Sequence, residues 1–149
     1  MAVRTTGHPQ ELLARADAEL LAAQFSSEPW ERFSHAHLAG LRAGAAVVAR
    51  RGAPARRGAP RTVWGMLADV APELADLASS FAEGAPLRSA VDAGRFDRVD
   101  EDQAERTLCR AEDLVDAART LIAAEDAALE QARSAARAGA PRMLAVRAS

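Results

Sequence analysis

Among the histidines, which can ligate a metal or move a proton near neutral pH, His35 and His37 stand closest together. Two apart on a helix, they point about 200° from each other, so they cannot share an ion from one face. Glu31 and His35, four apart, could ligate together, but no second Glu-x-x-His completes a di-metal bundle site. A metal site is therefore not expected, nor is any other cofactor. His37 falls on the apolar stripe of its helix and reads as a hydrogen-bonded core histidine, while His35 points to solvent. Cys109, the single cysteine, excludes an internal disulfide. It flanks an apolar seam with no histidine near it in sequence, which reads as a buried, inert thiol. No Gly-x-Ser-x-Gly elbow, phosphate-binding loop or Gly-x-Gly-x-x-Gly is present, so the familiar hydrolase and nucleotide signatures are missing.

The remaining chemistry lies with arginine, which supplies all nineteen basic residues. Arg-Gly-Ala-Pro occurs at 51–54 and again at 57–60, and around these repeats cluster Arg50, Arg51, Arg56, Arg57 and Arg61. Guanidinium groups on a flexible loop can fork onto phosphates or onto a partner's carboxylates, which makes these five the candidate nucleic-acid-binding site. Without interleaved aromatics the cluster favours phosphate contact over base stacking. A net charge of −2 is too near neutral for whole-molecule attraction to nucleic acid or acidic lipid, so any such binding needs a local patch. A second set, Arg95, Arg98, Arg106 and Arg110, is interleaved with carboxylates and reads as a solvated helix start.

The elements that must carry these residues are helical. Alanine makes up about a quarter of the chain, there is no Tyr and Ile122 is the only Ile, so strand formers are scarce. At 149 residues one core is the expectation. Leu12, Leu13, Ala16, Leu20 and Ala23 mark a first helix opening at Pro9. Trp30, Phe33, His37, Leu41, Ala45 and Val48 mark a second after Pro29. Gly40 and Gly44 lie inside that second helix, and a close helix crossing is the expected compensation for their cost. Two prolines and two glycines then break the chain into a basic linker over 50–61. Thr62 caps a third helix running to Phe81, with a kink or restart at Pro72. A short helix over about 87–93 closes at Gly94. Asp100 with Gln103 fits a capping box opening the last helix, whose seam runs Ala104, Leu108, Ala111, Val115, Ala118, Ile122. The prediction is an all-α antiparallel bundle of four long helices plus one short helix, with a long C-terminal helix. It divides into an N-terminal tail 1–8, a helical domain 9–138 and a flexible C-terminal tail 139–149.

This layout, with a third helix reading Thr-Val-Trp-Gly-Met-Leu-Ala-Asp-Val-Ala-Pro-Glu-Leu-Ala over 62–75, resembles small stand-alone bacterial HEPN-domain proteins. The segment His-Leu-Ala-Gly-Leu-Arg-Ala-Gly-Ala-Ala at 37–46, followed by the Trp64 segment, is similar to a branch found in high-GC actinobacteria. The resemblance covers about residues 10–125. It implies a bundle that often dimerises and, in many relatives, a ribonuclease with an Arg-x4-6-His motif at the start of the last helix. Here that helix has Arg106 and Arg110 but no histidine after them. The one spacing match, Arg32 with His37, lies on the second helix, where an i, i+5 pair is turned about 140° apart.

The reading is a non-catalytic binding or interaction module that contacts RNA or nucleotide phosphates, or an acidic protein partner, through the arginine linker. The alternatives are a metal-independent ribonuclease using Arg32 and His37, and a purely structural helical partner. A homodimer is expected, because the long last helix offers more apolar length than so small a body covers. With no apolar leader after Arg4 and no stretch of eighteen apolar residues, the expected place is the cytoplasm, without a membrane partner.

Overall fold

The computed structural model describes residues 8–148, with side chains through residue 139. Among the described residues there are six α-helices, two 3-10 turns and no strand. Helix α1 (Pro9–Phe25) starts where the Gln10 N–H donates to His8 Nδ1 at 3.2 Å, and Pro9 occupies a first-turn position that needs no donor. The expected N-terminal tail lies outside the described residues apart from this cap. Helix α2 (Pro29–Arg51) returns antiparallel to α1 after a three-residue break. Glu19 of α1 meets His35 of α2 at 2.7 Å, so His35 is half exposed but paired.

The third predicted helix is two. Helix α3 (Val63–Val70) opens at Thr62, whose hydroxyl accepts from the Gly65 N–H at 3.1 Å. Pro72 lacks the N–H that would continue the ladder, so the chain takes one 3-10 turn (Pro72–Leu74) and restarts as α4 (Ala75–Glu83). Helix α5 (Ala85–Asp92) follows almost directly, and a second 3-10 turn (Phe96–Arg98) leads to α6 (Glu101–Ala148). The capping box is formed in full: Gln103 N–H donates to Asp100 Oδ1 at 2.8 Å and Asp100 N–H to Gln103 Oε1 at 2.9 Å.

The stretch of α6 up to Arg119 lies antiparallel to α1, as two contacts fix. Arg119 reaches Asp17 at 2.7 Å, and Gln24 donates to Glu112 at 3.2 Å. Ala104, Leu108, Ala111, Val115 and Ala118 are all buried, as the seam predicts. One compact unit ends at Arg119 and a second begins at Thr120. In the second, Ile122 is buried and every residue from 126 to 139 is exposed. Helix α6 continues to Ala148, so Gly139 does not end it as expected for a tail starting there. The alanines at 135, 136 and 138 are the strongest helix formers, and they carry the helix up to that glycine.

The glycines of α2 do mark a close crossing. A Cβ at Gly40 would lie 2.6 Å from Phe81 of α4, and one at Gly44 would lie 3.1 Å from Val63 of α3. Around that crossing Trp64 and Phe81 stack with centroids 4.8 Å apart. A second apolar group joins Phe33, Val91, Val99 and Ala104, with Trp30 and Leu87 packed against it, and ties α2 to α5 and to the start of α6. Trp30 stacks on Phe96 at 4.0 Å.

Candidate functional site

The five linker arginines do not share one environment. Arg50 and Arg51 belong to the last turn of α2, because the helix runs to Arg51 before Gly52 adopts a φ of 92°. Arg51 crosses to the end of α3 and donates to Val70 O at 2.7 Å and to Glu73 Oε2 at 2.9 Å. The same guanidinium holds the Glu73 carboxyl below its usual range, first through the side-chain hydrogen bond. Arg56 is paired with Asp69 of α3 at 2.5 Å. These two arginines fasten the linker onto α3. Arg57 and Arg61 differ: both are exposed, and no ion pair or hydrogen bond holds either side chain among the described residues. Arg57 sits on a tight turn closed by Ala59 N–H to Arg56 O at 3.1 Å, in which Gly58 takes a φ of 79° that a side chain rarely adopts.

Arg32 and His37 are turned away from each other. Arg32 donates to Ser26 O at 2.9 Å and to Glu105 Oε1 of α6 at 3.2 Å. His37 instead is buried, only 4 % exposed, among three rings: Phe33, Trp64 and Phe81, each with its centroid 5.8 Å away. Among the described residues ring packing surrounds it, and the side-chain hydrogen bond expected from sequence is not found there. Its pKa is lowered from 6.5 to about 4, chiefly by burial and in smaller part by the positive field of Arg88, with Asp92 acting in the opposite direction. An imidazole so enclosed is neutral at pH 7 and stands apart from the guanidinium it would have to work with.

Cys109 is exposed, contrary to the buried thiol expected. Leu108 takes the seam position, and one residue on, about 100° around the helix, the side chain leaves it. Among the described residues no group of three or more His, Cys, Asp or Glu side chains is placed to hold a metal ion, and no helix is long and apolar enough to cross a membrane.

Sequence reasoning passed over Arg98, Arg106 and Arg110 as a solvated helix start. They border an open cleft of about 410 Å³ between the α4–α5 corner, the second 3-10 turn and the first turns of α6. The available signal was the i, i+4 spacing of Arg106 and Arg110. That the neighbouring Glu105 is engaged by Arg32 depends on a contact between segments 73 residues apart.

An all-helical bundle whose last helix opens with a capping box and arginines, and whose histidines lie on other elements, defines the class of molecule. Within that class, the family model of the HEPN_SAV_6107-like HEPN domain matches residues 23–119, well over half of the chain, and the protein belongs to this HEPN family. The match ends at Arg119, the last residue of the first compact unit. Comparison with curated proteins and with solved structures finds no match.

Proposed function

We propose that this protein is a non-catalytic HEPN module that contacts RNA phosphates through the exposed end of its arginine linker. The observation that carries the reading is the fate of the two residues a ribonuclease would need. His37 is enclosed by aromatic rings and neutral, Arg32 is engaged by Ser26 and Glu105, and α6 contains no histidine at all. General acid-base cleavage needs a proton-transferring group within reach of the substrate, and a buried imidazole is not. What supports Arg57 and Arg61 as the contact is that both are exposed to solvent, on a linker that Arg51 and Arg56 fasten just before them.

The test is a titration of wild type and an Arg57→Glu/Arg61→Glu variant against a short single-stranded RNA at two salt concentrations. Affinity is expected to fall steeply with salt, with a log-log slope of roughly 0.7 per phosphate neutralised. The variant should weaken all RNA sequences alike. No binding by wild type at low salt defeats the reading. So does metal-free RNA cleavage that is lost in both Arg32→Ala and His37→Ala.

A further inference from the structure

The cleft at the start of α6 is a second, separate place with the chemistry of a binding site. Its volume of about 410 Å³ falls in the range of small-ligand pockets, roughly 300–1,000 Å³. Phe33, Pro86 and Leu87 make its apolar side, and Ser80, Gln103 and Thr107 add polar groups. Gln103 uses its carbonyl oxygen to accept from Asp100 N–H, which leaves its amide hydrogens for another acceptor.

The decisive feature is charge. Arg106 and Arg110 are one helical turn apart on the same face of α6, a spacing that brings two side chains to one target, and Arg98 reaches the cleft from the 3-10 turn before the helix. Several arginines of this unit are neutralised: Arg32, Arg51, Arg56, Arg88 and Arg119 each pair with a carboxylate. The side chains of Arg98, Arg106 and Arg110 have no ion pair or hydrogen bond among the described residues. Two of the acids that could have served them are in use, Glu105 by Arg32 and Asp100 by the capping box. Asp102 lines a different hollow on the far side of Arg106 and Arg110. Glu83 is the one carboxylate on the wall of the cleft.

Three guanidinium groups against one carboxylate leave a surplus of two positive charges. A phosphate monoester carries about −1.5 to −2 at neutral pH, whereas a phosphodiester carries only one negative charge. Arginine also presents forked donors that match phosphate oxygens in pairs. The apolar side gives room for the organic group of the ester, which a bare ion would leave unfilled. We infer that this cleft binds a phosphate monoester, held by Arg98, Arg106 and Arg110, with the organic group against Phe33, Pro86 and Leu87. Glu83 opposes the phosphate and favours a ligand that carries a hydroxyl or amino donor beside it.

The ester could come from a small phosphorylated molecule or from the 5′-phosphate end of an oligonucleotide, and the test separates the two. Phenyl phosphate and diphenyl phosphate are titrated into the full chain by calorimetry, with amide shifts followed by NMR. The monoester is expected to bind at least about tenfold more tightly than the diester, with shifts centred on Ser80, Gly84 and residues 103–110. Arg106→Gln and Arg110→Gln should each weaken phenyl phosphate about tenfold, the size of a lost charge-assisted hydrogen bond, and Glu83→Gln should strengthen it several-fold. All three positions are on the surface, and an unchanged thermal melt verifies that the variants fold. A 5′-phosphorylated tetranucleotide binding more tightly than both its 5′-hydroxyl form and phenyl phosphate assigns the ester to an RNA end. Equal binding of the phosphorylated tetranucleotide and phenyl phosphate assigns it to small molecules. The Arg57→Glu/Arg61→Glu variant should bind phenyl phosphate as wild type does, so this inference and the linker reading can fail independently. No saturable binding at about 10 mM phenyl phosphate overturns the proposal, as do equal affinities for monoester and diester or unchanged binding in both arginine variants.

Discussion

Acidification should destabilise this fold through His37 before its carboxylates are protonated. The imidazole is 4 % exposed and its pKa is lowered from 6.5 to about 4, chiefly because burial among Phe33, Trp64 and Phe81 disfavours the charged form. Because the folded pKa is the lower one, the unfolded chain takes up the proton first. Stability is therefore full above pH 6.5, declines as the pH drops from there, and levels off below about 4. One pH unit between the two pKa values corresponds to about 1.4 kcal/mol, so the loss is about 2 kcal/mol at pH 5 and about 3 kcal/mol when complete. That is a large part of the 5–15 kcal/mol typical of a domain. Urea unfolding of wild type and His37→Gln at pH 7.5, 6.5, 5.5 and 5.0 isolates the effect. The glutamine variant will be less stable at every pH, but the quantity read is the change between pH 7.5 and 5.0 within each protein. Wild type should lose about 2 kcal/mol more than the variant over that interval. An equal loss in both would show that His37 is not held neutral by the fold, and the argument against an acid-base role would go with it.

Two further expectations concern packing and assembly. Gly40→Ala places a Cβ 2.6 Å from a Phe81 ring that already stacks on Trp64, where carbon contacts normally lie at about 3.5–4.0 Å. The overpacking cost of about 1–3 kcal/mol should exceed the gain of about 1 kcal/mol in helix propensity. A lower melting temperature is the expected result, while Gly139→Ala, with nothing within 4 Å of the added carbon, should not lower it. A higher melting temperature for Gly40→Ala would mean that the crossing is looser than its geometry. The protein is expected to be a homodimer at micromolar concentration, since Leu21, Phe25 and Leu129 are large apolar side chains left exposed. Sedimentation giving only the monomer mass up to about 100 µM would refute this.

What the sequence by itself determined is local. Composition and 3.6-residue periodicity define the helices and the buried seam from Ala104 to Ala118. Capping chemistry places two helix starts, because Thr62 and the Asp100–Gln103 pair satisfy donors only a few residues away. Gly40 and Gly44 announce a close crossing, since little else justifies two glycines inside a helix. Whether an arginine is available to a ligand is a different kind of fact. Arg51 is claimed by Glu73, 22 residues on, Arg56 by Asp69, 13 residues on, and Arg32 by Glu105, 73 residues on. Arg98, Arg106 and Arg110 are not claimed, though Asp97 and Glu105 stand beside the first two in sequence and Glu112 two residues after the third. Coulomb attraction acts through space, so the pairing of charges follows from which helices the core brings together. Only the tertiary structure decides that, and with it which guanidinium groups remain for a phosphate.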